Sequence, residues 1–323
     1  MAKIDILVPV RMYPKVAVAL EPVFNVHKGW EAENEDAMIA GIGDKVRGIA
    51  VGNGGKVGRT LMERLPNLEI ISNFGVGYDS IDVAAAVERG IIVTNTPDVL
   101  TEEVADTALA LLLMTVREYA NAERYLRAGK WATDGAYPLS RATLRNRTVG
   151  IVGLGRIGLA IARRLDAMQV PVVYNNRNPR SDVTYLHYPD LMTMAKDVDT
   201  LMFVLPGGAS TQHLVDADLL KALGPEGILI NVGRGSAVDE PALIEALTDG
   251  TILAAGLDVF AREPHVPEAL IALPNVVLTP HIASGSVHTR DAMGKLVVDN
   301  LTSWFETGKP VTPVPETPWL RKS

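Results

Sequence analysis

Short runs of Val, Ile and Leu alternate with stretches of helical periodicity along most of the chain. This pattern is typical of parallel sheets with helices on both faces, so an α/β class with doubly wound sheets is predicted. Ten strands follow, enough for two sheets: Ile4–Val8, Ile49–Val51, Glu69–Asn73, Ile91–Thr94, Thr148–Val152, Val172–Tyr174, Thr200–Val204, Gly227–Val232, Ala254–Asp258 and Val276–Leu278.

A chain of 323 residues is longer than one compact core usually supports, so two domains with a cleft between them are expected. Helical patterns over Thr101–Arg127 and Thr289–Glu306 begin after breaks near Pro97 and Ser284. They predict a discontinuous domain of residues 1–97 and 288–323, into which residues 98–287 are inserted. The proline-rich tail from Lys309 should be extended and lie on the surface.

Composition narrows the class of protein. Hydrophobic residues make up 47% and charged residues 21%, as in ordinary globular proteins, and the net charge of −7 leaves no broad basic surface for a nucleic acid. The absence of cysteine excludes disulfides, zinc thiolates and a cysteine nucleophile. No export signal is visible at the start, and the longest apolar run, Ala108–Val116, is about half of the ~20 residues that a membrane-spanning helix needs. A cytoplasmic protein that binds neither membranes nor nucleic acids is expected.

The most informative motif is VGIVGLGRIG, in which a strand pattern runs directly into three spaced glycines and then into a helical pattern. This is the dinucleotide-binding fingerprint in the context that it requires. Gly153 permits the tight turn, Gly155 lets the backbone approach a pyrophosphate, and Gly158 lets the helix pack against the strand. The phosphates would lie on the helix N-terminus, in a loop formed by Gly153, Leu154, Gly155, Arg156, Ile157 and Gly158.

The residue that meets the adenine ribose distinguishes NAD from NADP. NAD-specific sites place an acidic residue about 20 positions beyond the fingerprint, at the end of the next strand. Here that position is Asn176, and Arg177 and Arg180 follow it. Because a guanidinium can bind a 2′-phosphate that a carboxylate would repel, NADPH is predicted to be preferred over NADH. The alternative is an unselective site in which both arginines are solvated loop charges.

Two other glycine-rich stretches have simpler interpretations. GNGGKVG at 52–58 resembles a phosphate-binding loop, but Val57 follows Lys56 where Ser or Thr should stand, and Ala50 occupies the first glycine position. FGVG at 74–77 is followed by Tyr78 and Asp79 rather than by the start of a packed helix. Both stretches are predicted to be strand-end loops that face the cleft.

Arg234, Glu263 and His281 each follow a predicted strand. Each alone is more often an ordinary loop residue, but ligands of open α/β sheets bind outside the carboxyl ends of the strands, where the three could converge. Hydride transfer to a ketone builds negative charge on its oxygen, and histidine is suited to protonate that oxygen near neutral pH. Glu263 could orient the imidazole, and Arg234 offers two parallel donors to a carboxylate. Together they predict reduction of a small 2-oxo acid.

Several motifs in fixed order resemble one family. GLGRIG, NVGRGSAVDE, AGLDVFAREP and PHIASGS are similar to motifs of the D-isomer-specific 2-hydroxyacid dehydrogenases, and the resemblance runs along almost the entire chain. VGNGGK, NFGVGYDSID and VTNTPDVLTEEVAD look most like those of glyoxylate/hydroxypyruvate reductases and hydroxyphenylpyruvate reductases. The resemblance implies two Rossmann-like or flavodoxin-like domains, reduction of glyoxylate or hydroxypyruvate with NADPH, and a homodimer formed through the cofactor domain.

The same resemblance implies roles for individual residues. Arg234 would bind the substrate, Glu263 and His281 would form the acid–base pair, and Asp258 would contact the nicotinamide carboxamide. The loops that would receive the substrate and its carboxylate contain Asn53, Gly54, Gly55, Val76 and Gly77. The cofactor cleft would also be lined by Thr101, Leu205, Pro206, Val232 and Gly233.

Other functions stay open at this point. The six histidines show no spacing that would gather metal ligands, so no metal is predicted. A regulatory protein that only senses the cofactor could share the fold, although it would not need the Arg, Glu and His set. Aryl pyruvates are alternative substrates. A 3-phosphoglycerate or formate dehydrogenase relative is less favoured, because the chain has no room for a regulatory domain and Glu263 stands where formate dehydrogenases are expected to differ.

Overall fold

A computed structural model describes residues 3–52 and 54–317 of the chain. The contacts between residues divide it into two units. Residues up to Leu100, together with those from Ser286 onward, form the first unit, and Thr101–Gly285 forms the second. These divisions lie within three residues of the boundaries expected at 97/98 and 287/288, while the roles of the two domains stay predictions.

The first unit is built on a five-stranded parallel sheet with the order β2-β1-β3-β4-β5. Its strands are β1 (Asp5–Val8), β2 (Asn25–Lys28), β3 (Val46–Val51), β4 (Ile70–Asn73) and β5 (Ile92–Thr94). Its helices are α1 (Pro14–Leu20), α2 (Glu35–Ile42), α3 (Arg59–Glu63), α4 (Val83–Glu88) and α13 (Val287–Thr307). Leu7, Ile49 and Ile71, from three adjacent strands, are completely buried in its core.

The second unit is built on a seven-stranded parallel sheet with the order β12-β11-β10-β9-β6-β7-β8. Its strands are β6 (Val149–Val152), β7 (Val172–Asn175), β8 (Leu186–His187), β9 (Thr200–Phe203), β10 (Ile228–Asn231), β11 (Ala254–Leu257) and β12 (Val276–Leu278). The chain winds outward from β6 to β8, returns to β9 beside β6, and then winds the other way. The reversal between β6 and β9 is the kind of switch point at which open sheets bind ligands.

The helices of the second unit include one break that the sequence did not indicate. They are α5 (Thr101–Val116), α6 (Tyr119–Arg127), α7 (Lys130–Thr133), α8 (Arg156–Ala167), α9 (Leu191–Asp197), α10 (Ala217–Leu223), α11 (Glu240–Asp249) and α12 (Glu268–Ile271). The single helix predicted over Thr101–Arg127 is wrong, because Glu118 adopts a left-handed conformation (φ 55°) between α5 and α6. Thr101, a predicted cofactor-cleft residue, begins α5.

All ten predicted strands are present, with ends shifted by three residues or fewer. Two strands were missed, β2 and β8. Both lie at the edge of a sheet, and their residues are half-buried or exposed, so they lack the continuous apolar run that marks the buried strands. The predicted α/β class with two doubly wound parallel sheets is confirmed. No helix in residues 3–52 and 54–317 is both long and apolar enough to cross a membrane.

The tail was expected on the surface, and that prediction is wrong for two of its described residues. Val314 and Thr317 are buried beside β5, the edge strand of the first sheet. The Val314 N–H donates to the carbonyl oxygen of Val93 (2.9 Å), and the Val93 N–H donates to Thr317 Oγ1 (3.0 Å). An extended segment can satisfy the backbone groups of a free sheet edge, so part of the tail covers that edge while its other residues are exposed or half-buried.

Candidate active site

Apart from Thr101 at the start of α5, the predicted site residues of the second unit lie in loops that follow the carboxyl ends of its strands. In the order of the strands, the loops carry His281 after β12, Asp258 and Glu263 after β11, Arg234 after β10, Leu205 and Pro206 after β9, Gly153–Gly158 after β6, and Asn176 after β7. One end of this row of loops therefore carries the candidate acid–base groups, and the other end carries the dinucleotide fingerprint.

The fingerprint glycines have the geometry that their spacing predicts. Gly153 has a φ of +101°, and a Cβ on Gly158 would lie 2.3 Å from the carbonyl oxygen of Gly153. A Cβ on Gly155 would meet no atom within 4 Å, so the backbone is accessible there. α8 begins at Arg156, and no side chain of the described residues caps its N-terminus. Its first N–H groups lack intrahelical acceptors, so the loop fits a dinucleotide pyrophosphate.

The three residues expected near the adenine ribose differ in how they are held. Asn176 Oδ1 accepts a hydrogen bond from the Leu154 N–H (2.7 Å). Arg180 donates from Nη1 to the Leu154 carbonyl oxygen (2.9 Å) and from Nε and Nη2 to the carboxylate of Asp182 (2.9 and 2.5 Å). Arg177 is exposed and makes no hydrogen bond or ion pair with the described part of the chain. Its guanidinium is therefore available to a ligand.

Leu205 lies between the fingerprint and the turn that carries Arg234. A Cβ on Gly153 would be 2.9 Å from Leu205 Cδ2, and a Cβ on Gly233 would be 2.6 Å from the Leu205 carbonyl oxygen. Val232 is buried, whereas Pro206 is exposed. The loops after β6, β9 and β10 thus pack closely, and two glycines make that approach possible.

His281 is carried by a turn that Asp258 holds in place. His281 has a φ of +53°, a conformation that needs support in a residue with a side chain, and its N–H donates to the Asp258 carbonyl oxygen (2.8 Å). The completely buried Asp258 carboxylate accepts hydrogen bonds from Thr279 Oγ1 (2.7 Å) and from the N–H groups of Ile282 and Ala283 (both 2.9 Å). Its implied contact with the nicotinamide carboxamide stays a prediction.

Glu263 and His281 form a direct pair. Glu263 Oε2 lies 2.6 Å from His281 Nδ1, and Glu263 Oε1 accepts from the Phe260 N–H (3.0 Å). Burial works to raise the pKa of Glu263, but the hydrogen bonds from His281 and Phe260 and the charges of His281 and Arg234 outweigh it and lower that pKa. An ionised carboxylate only accepts, so Nδ1 of the imidazole donates to it and Nε2 is left to exchange a proton.

Arg234 is placed by a residue that the sequence did not single out. The completely buried Asn231, the last residue of β10, donates from Nδ2 to the Arg234 carbonyl oxygen (2.9 Å) and accepts from the Gly233 N–H (3.0 Å). A Cβ on Gly235 would lie 1.8 Å from the carbonyl carbon of Phe260, so this glycine allows the turn to meet the loop that carries Glu263. The sequence does carry a signal for this residue, because Asn231 ends an apolar strand directly before VGRG.

In the first unit, the loops expected to receive the substrate carboxylate follow β3 and β4. Of their predicted residues, Gly54, Gly55, Val76 and Gly77 are described, and Asn53 lies outside the described residues. Asn73 Nδ2 donates to the Gly77 carbonyl oxygen (2.9 Å), and Asn95 Nδ2 donates to that of Val76 (2.9 Å). Two asparagines therefore fix the second loop, while its role towards the substrate stays a prediction.

Comparison with known proteins agrees with this geometry. The family model described as "D-isomer specific 2-hydroxyacid dehydrogenase, NAD binding domain" matches residues 109–283. The chain belongs to the D-isomer-specific 2-hydroxyacid dehydrogenase family. The resemblance expected from the motifs is confirmed.

Several members of this family are similar over nearly the whole chain. The crystal structure of an NADPH-dependent glyoxylate/hydroxypyruvate reductase from Sinorhizobium meliloti, in complex with NADP and malonate, is 55% identical, with a TM-score of 0.94 and coverage of 100% of both chains. Glyoxylate/hydroxypyruvate reductase A of Arabidopsis thaliana is 43% identical over 97% of this dehydrogenase and 100% of its own length. Hydroxyphenylpyruvate reductase of Plectranthus scutellarioides is 40% identical over 97% of this chain and 100% of its own length.

Proposed function

We propose that this dehydrogenase uses NADPH to reduce glyoxylate to glycolate and hydroxypyruvate to D-glycerate. The observation that carries the proposal is the 2.6 Å contact between His281 Nδ1 and Glu263 Oε2. The charge of Arg234 also lowers the pKa of Glu263, and these residues follow strands of the same sheet as the fingerprint. The relatives from Sinorhizobium meliloti and Arabidopsis thaliana are named for these substrates, and the first is named for NADPH. We assign dinucleotide binding to the second unit and substrate binding to the first.

The residues of the chain divide the chemistry among them. When bound, the reduced nicotinamide supplies the hydride that the C2 carbon of the 2-oxo acid receives. Arg234 binds the substrate carboxylate with its parallel donors and polarises the ketone. His281 transfers the proton from Nε2 to the ketone oxygen, which gives the 2-hydroxy acid. Glu263 holds the Nδ1 proton of His281 and fixes the orientation of the ring.

A second substrate class is supported by one comparison. The relative from Plectranthus scutellarioides, 40% identical, is named for hydroxyphenylpyruvate, so an aryl pyruvate is the alternative substrate. A regulatory protein that only senses the cofactor would have no use for a positioned acid–base pair, and this pair is present. Measured turnover of the candidate 2-oxo acids therefore distinguishes these functions.

A steady-state panel tests the proposed function. NADPH oxidation would be followed by absorbance with glyoxylate, hydroxypyruvate and hydroxyphenylpyruvate, and each assay would be repeated with NADH. We expect the highest kcat/KM for one of the two small acids with NADPH. A higher value for hydroxyphenylpyruvate would favour the aryl substrate, and NADPH binding without turnover of any 2-oxo acid would favour the sensor.

Replacing Arg177 with alanine should weaken NADPH binding and leave NADH binding nearly unchanged. Arg177 is exposed and directly follows Asn176, the position at which NAD-specific sites bind the adenine ribose. Only NADPH carries the 2′-phosphate. The loss of one charge-assisted hydrogen bond, worth about 1.5–3 kcal/mol, should raise the Kd of NADPH roughly ten- to hundredfold. Fluorescence titration of the wild type and the variant measures both constants. Equal losses for the two cofactors would mean that Arg177 does not contact the 2′-phosphate.

We also propose that the enzyme is a homodimer that associates through its second unit. Large apolar side chains are exposed in and just after the α6–α7 region, namely Leu126 (56%), Trp131 (66%) and Leu139 (96%). Exposed apolar residues clustered in one segment are typical of an interface with another protein, and symmetric dimers are the commonest assembly. A cytoplasmic location stays a prediction from the sequence.

The double substitution Trp131→Glu with Leu139→Glu should convert the dimer into a monomer, because burying two carboxylates in an apolar interface is costly. Sedimentation velocity of the wild type and the variant measures the mass. Leu186→Glu, at a similarly exposed leucine (60%) in another part of the same unit, is the control and should stay dimeric. A monomeric wild type would contradict the proposal.

A further inference from the structure

Leu154, in the middle of the fingerprint, is held at both polar atoms of its backbone by side chains that follow β7. Its N–H donates to Asn176 Oδ1 (2.7 Å), and its carbonyl oxygen accepts from Arg180 Nη1 (2.9 Å). The N–H belongs to the peptide group shared with Gly153, and the carbonyl belongs to the peptide group shared with Gly155. Two consecutive peptide groups of the loop are therefore fixed from outside the loop.

Arg180 is itself hydrogen-bonded through its whole guanidinium. Its Nε and Nη2 donate to the carboxylate of Asp182 (2.9 and 2.5 Å), so each of its three guanidinium nitrogens has an acceptor within the chain. Its backbone N–H donates to the hydroxyl of the buried Tyr174 (2.8 Å). The planar guanidinium thus connects the Asp182 carboxylate to the Leu154 carbonyl, a geometry that a lysine ammonium does not reproduce.

The loop needs such support because of its composition. Glycines allow the backbone to approach a pyrophosphate, but they also leave the chain free to adopt many conformations. The phosphates are bound by backbone N–H groups, whose direction is set by the orientation of the peptide groups. Residues that fix those peptide groups should strengthen binding of any dinucleotide, with or without a 2′-phosphate.

We propose that Arg180 and Asn176 are positioning residues that hold the fingerprint loop for the pyrophosphate, and that Arg177 alone among the three discriminates NADPH from NADH. This assignment rests on the proposed NADPH-dependent function. It separates two roles within one short segment: Arg180 and Asn176 act through Leu154 on both cofactors, and Arg177 acts on the 2′-phosphate.

The test compares Kd values for NADPH and NADH, measured by fluorescence titration without substrate. Arg180→Ala should raise the Kd values of both cofactors by a similar factor, about tenfold, because one charge-assisted hydrogen bond to the loop is lost. Arg180→Lys keeps the positive charge but not the planar fork, so it should behave like Arg180→Ala. Arg177→Ala, in the same segment, is the matched control and should affect NADPH alone.

Three outcomes would overturn the assignment: a loss confined to NADPH in Arg180→Ala, recovery of NADPH affinity in Arg180→Lys, or unchanged Kd values for both cofactors. Thermal unfolding followed by circular dichroism shows whether each variant is folded. If Arg180→Ala does not fold, Asn176→Ala decides, because it removes only the acceptor of the Leu154 N–H and should also weaken both cofactors equally. Wild-type preference for NADH would contradict the proposed cofactor, while equal losses in the variants would still support the positioning role.

Discussion

Replacing His281 with alanine should lower kcat for glyoxylate reduction by about 10²–10⁴-fold, the usual contribution of a positioned general acid. In the proposed mechanism the imidazole protonates the ketone oxygen, and Glu263 Oε2 lies 2.6 Å from its Nδ1. The Kd of NADPH should change little, because the fingerprint follows β6, away from the loop that carries His281 at the end of the sheet. Stopped-flow single turnovers with NADPH and glyoxylate measure the chemical step directly.

His265→Ala is the matched control for His281→Ala. His265 is exposed in the same loop as Glu263, and the mechanism gives it no role. This variant should keep the wild-type kcat. A wild-type single-turnover rate in His281→Ala would remove the imidazole from the mechanism, and a large loss of NADPH affinity would show that the substitution disturbs more than proton transfer.

Arg234→Ala should lower kcat/KM for glyoxylate by roughly 10²–10⁴-fold, because the proposal gives Arg234 two charge-assisted hydrogen bonds to the substrate carboxylate, each of about 1.5–3 kcal/mol. Arg234→Lys should recover only part of this loss, since an ammonium is a point charge without parallel donors. Steady-state kinetics at saturating NADPH give kcat and KM separately for each variant.

Arg262→Ala serves as the control for Arg234, since Arg262 is exposed on the neighbouring loop and carries the same charge. It should keep wild-type kinetics with glyoxylate. Full recovery in Arg234→Lys would mean that charge alone is needed, and wild-type kcat/KM in Arg234→Ala would show that the guanidinium does not bind the substrate.

Buried polar residues hold the two turns that carry His281 and Arg234. Asp258 holds the turn of His281 through its carboxylate, and Asn231 holds the turn of Arg234 through its amide. Neither residue needs to touch a substrate to matter, because each satisfies backbone groups that would otherwise be buried without partners. The side chains of His281 and Arg234, which the proposal makes reactive, are therefore half-exposed while their backbones are held in place.

Much of the candidate site could be predicted because its residues follow strands. Once β10, β11 and β12 are identified as parallel neighbours, Arg234, Glu263 and His281 must share an edge. The missed strands, β2 and β8, show the limit of this approach, since edge strands carry no continuous apolar run. The break at Glu118 could not be predicted either, because the helical periodicity continues from Thr101 to Arg127.

The α/β class, ten of the strands and the dinucleotide fingerprint could be read from the order of the residues, because apolar periodicity and glycine spacing are local properties of the chain. The hydrogen-bond partners of the polar side chains, in contrast, became visible only in the folded chain. The structure adds that Arg180 donates to the carbonyl of Leu154 and that Asp258 accepts from the turn of His281, while the cofactor contacts expected of both residues stay predictions. The partner of a hydrogen-bonding group is whichever complementary atom the fold brings within about 3 Å, and that distance is not written in the order of the residues.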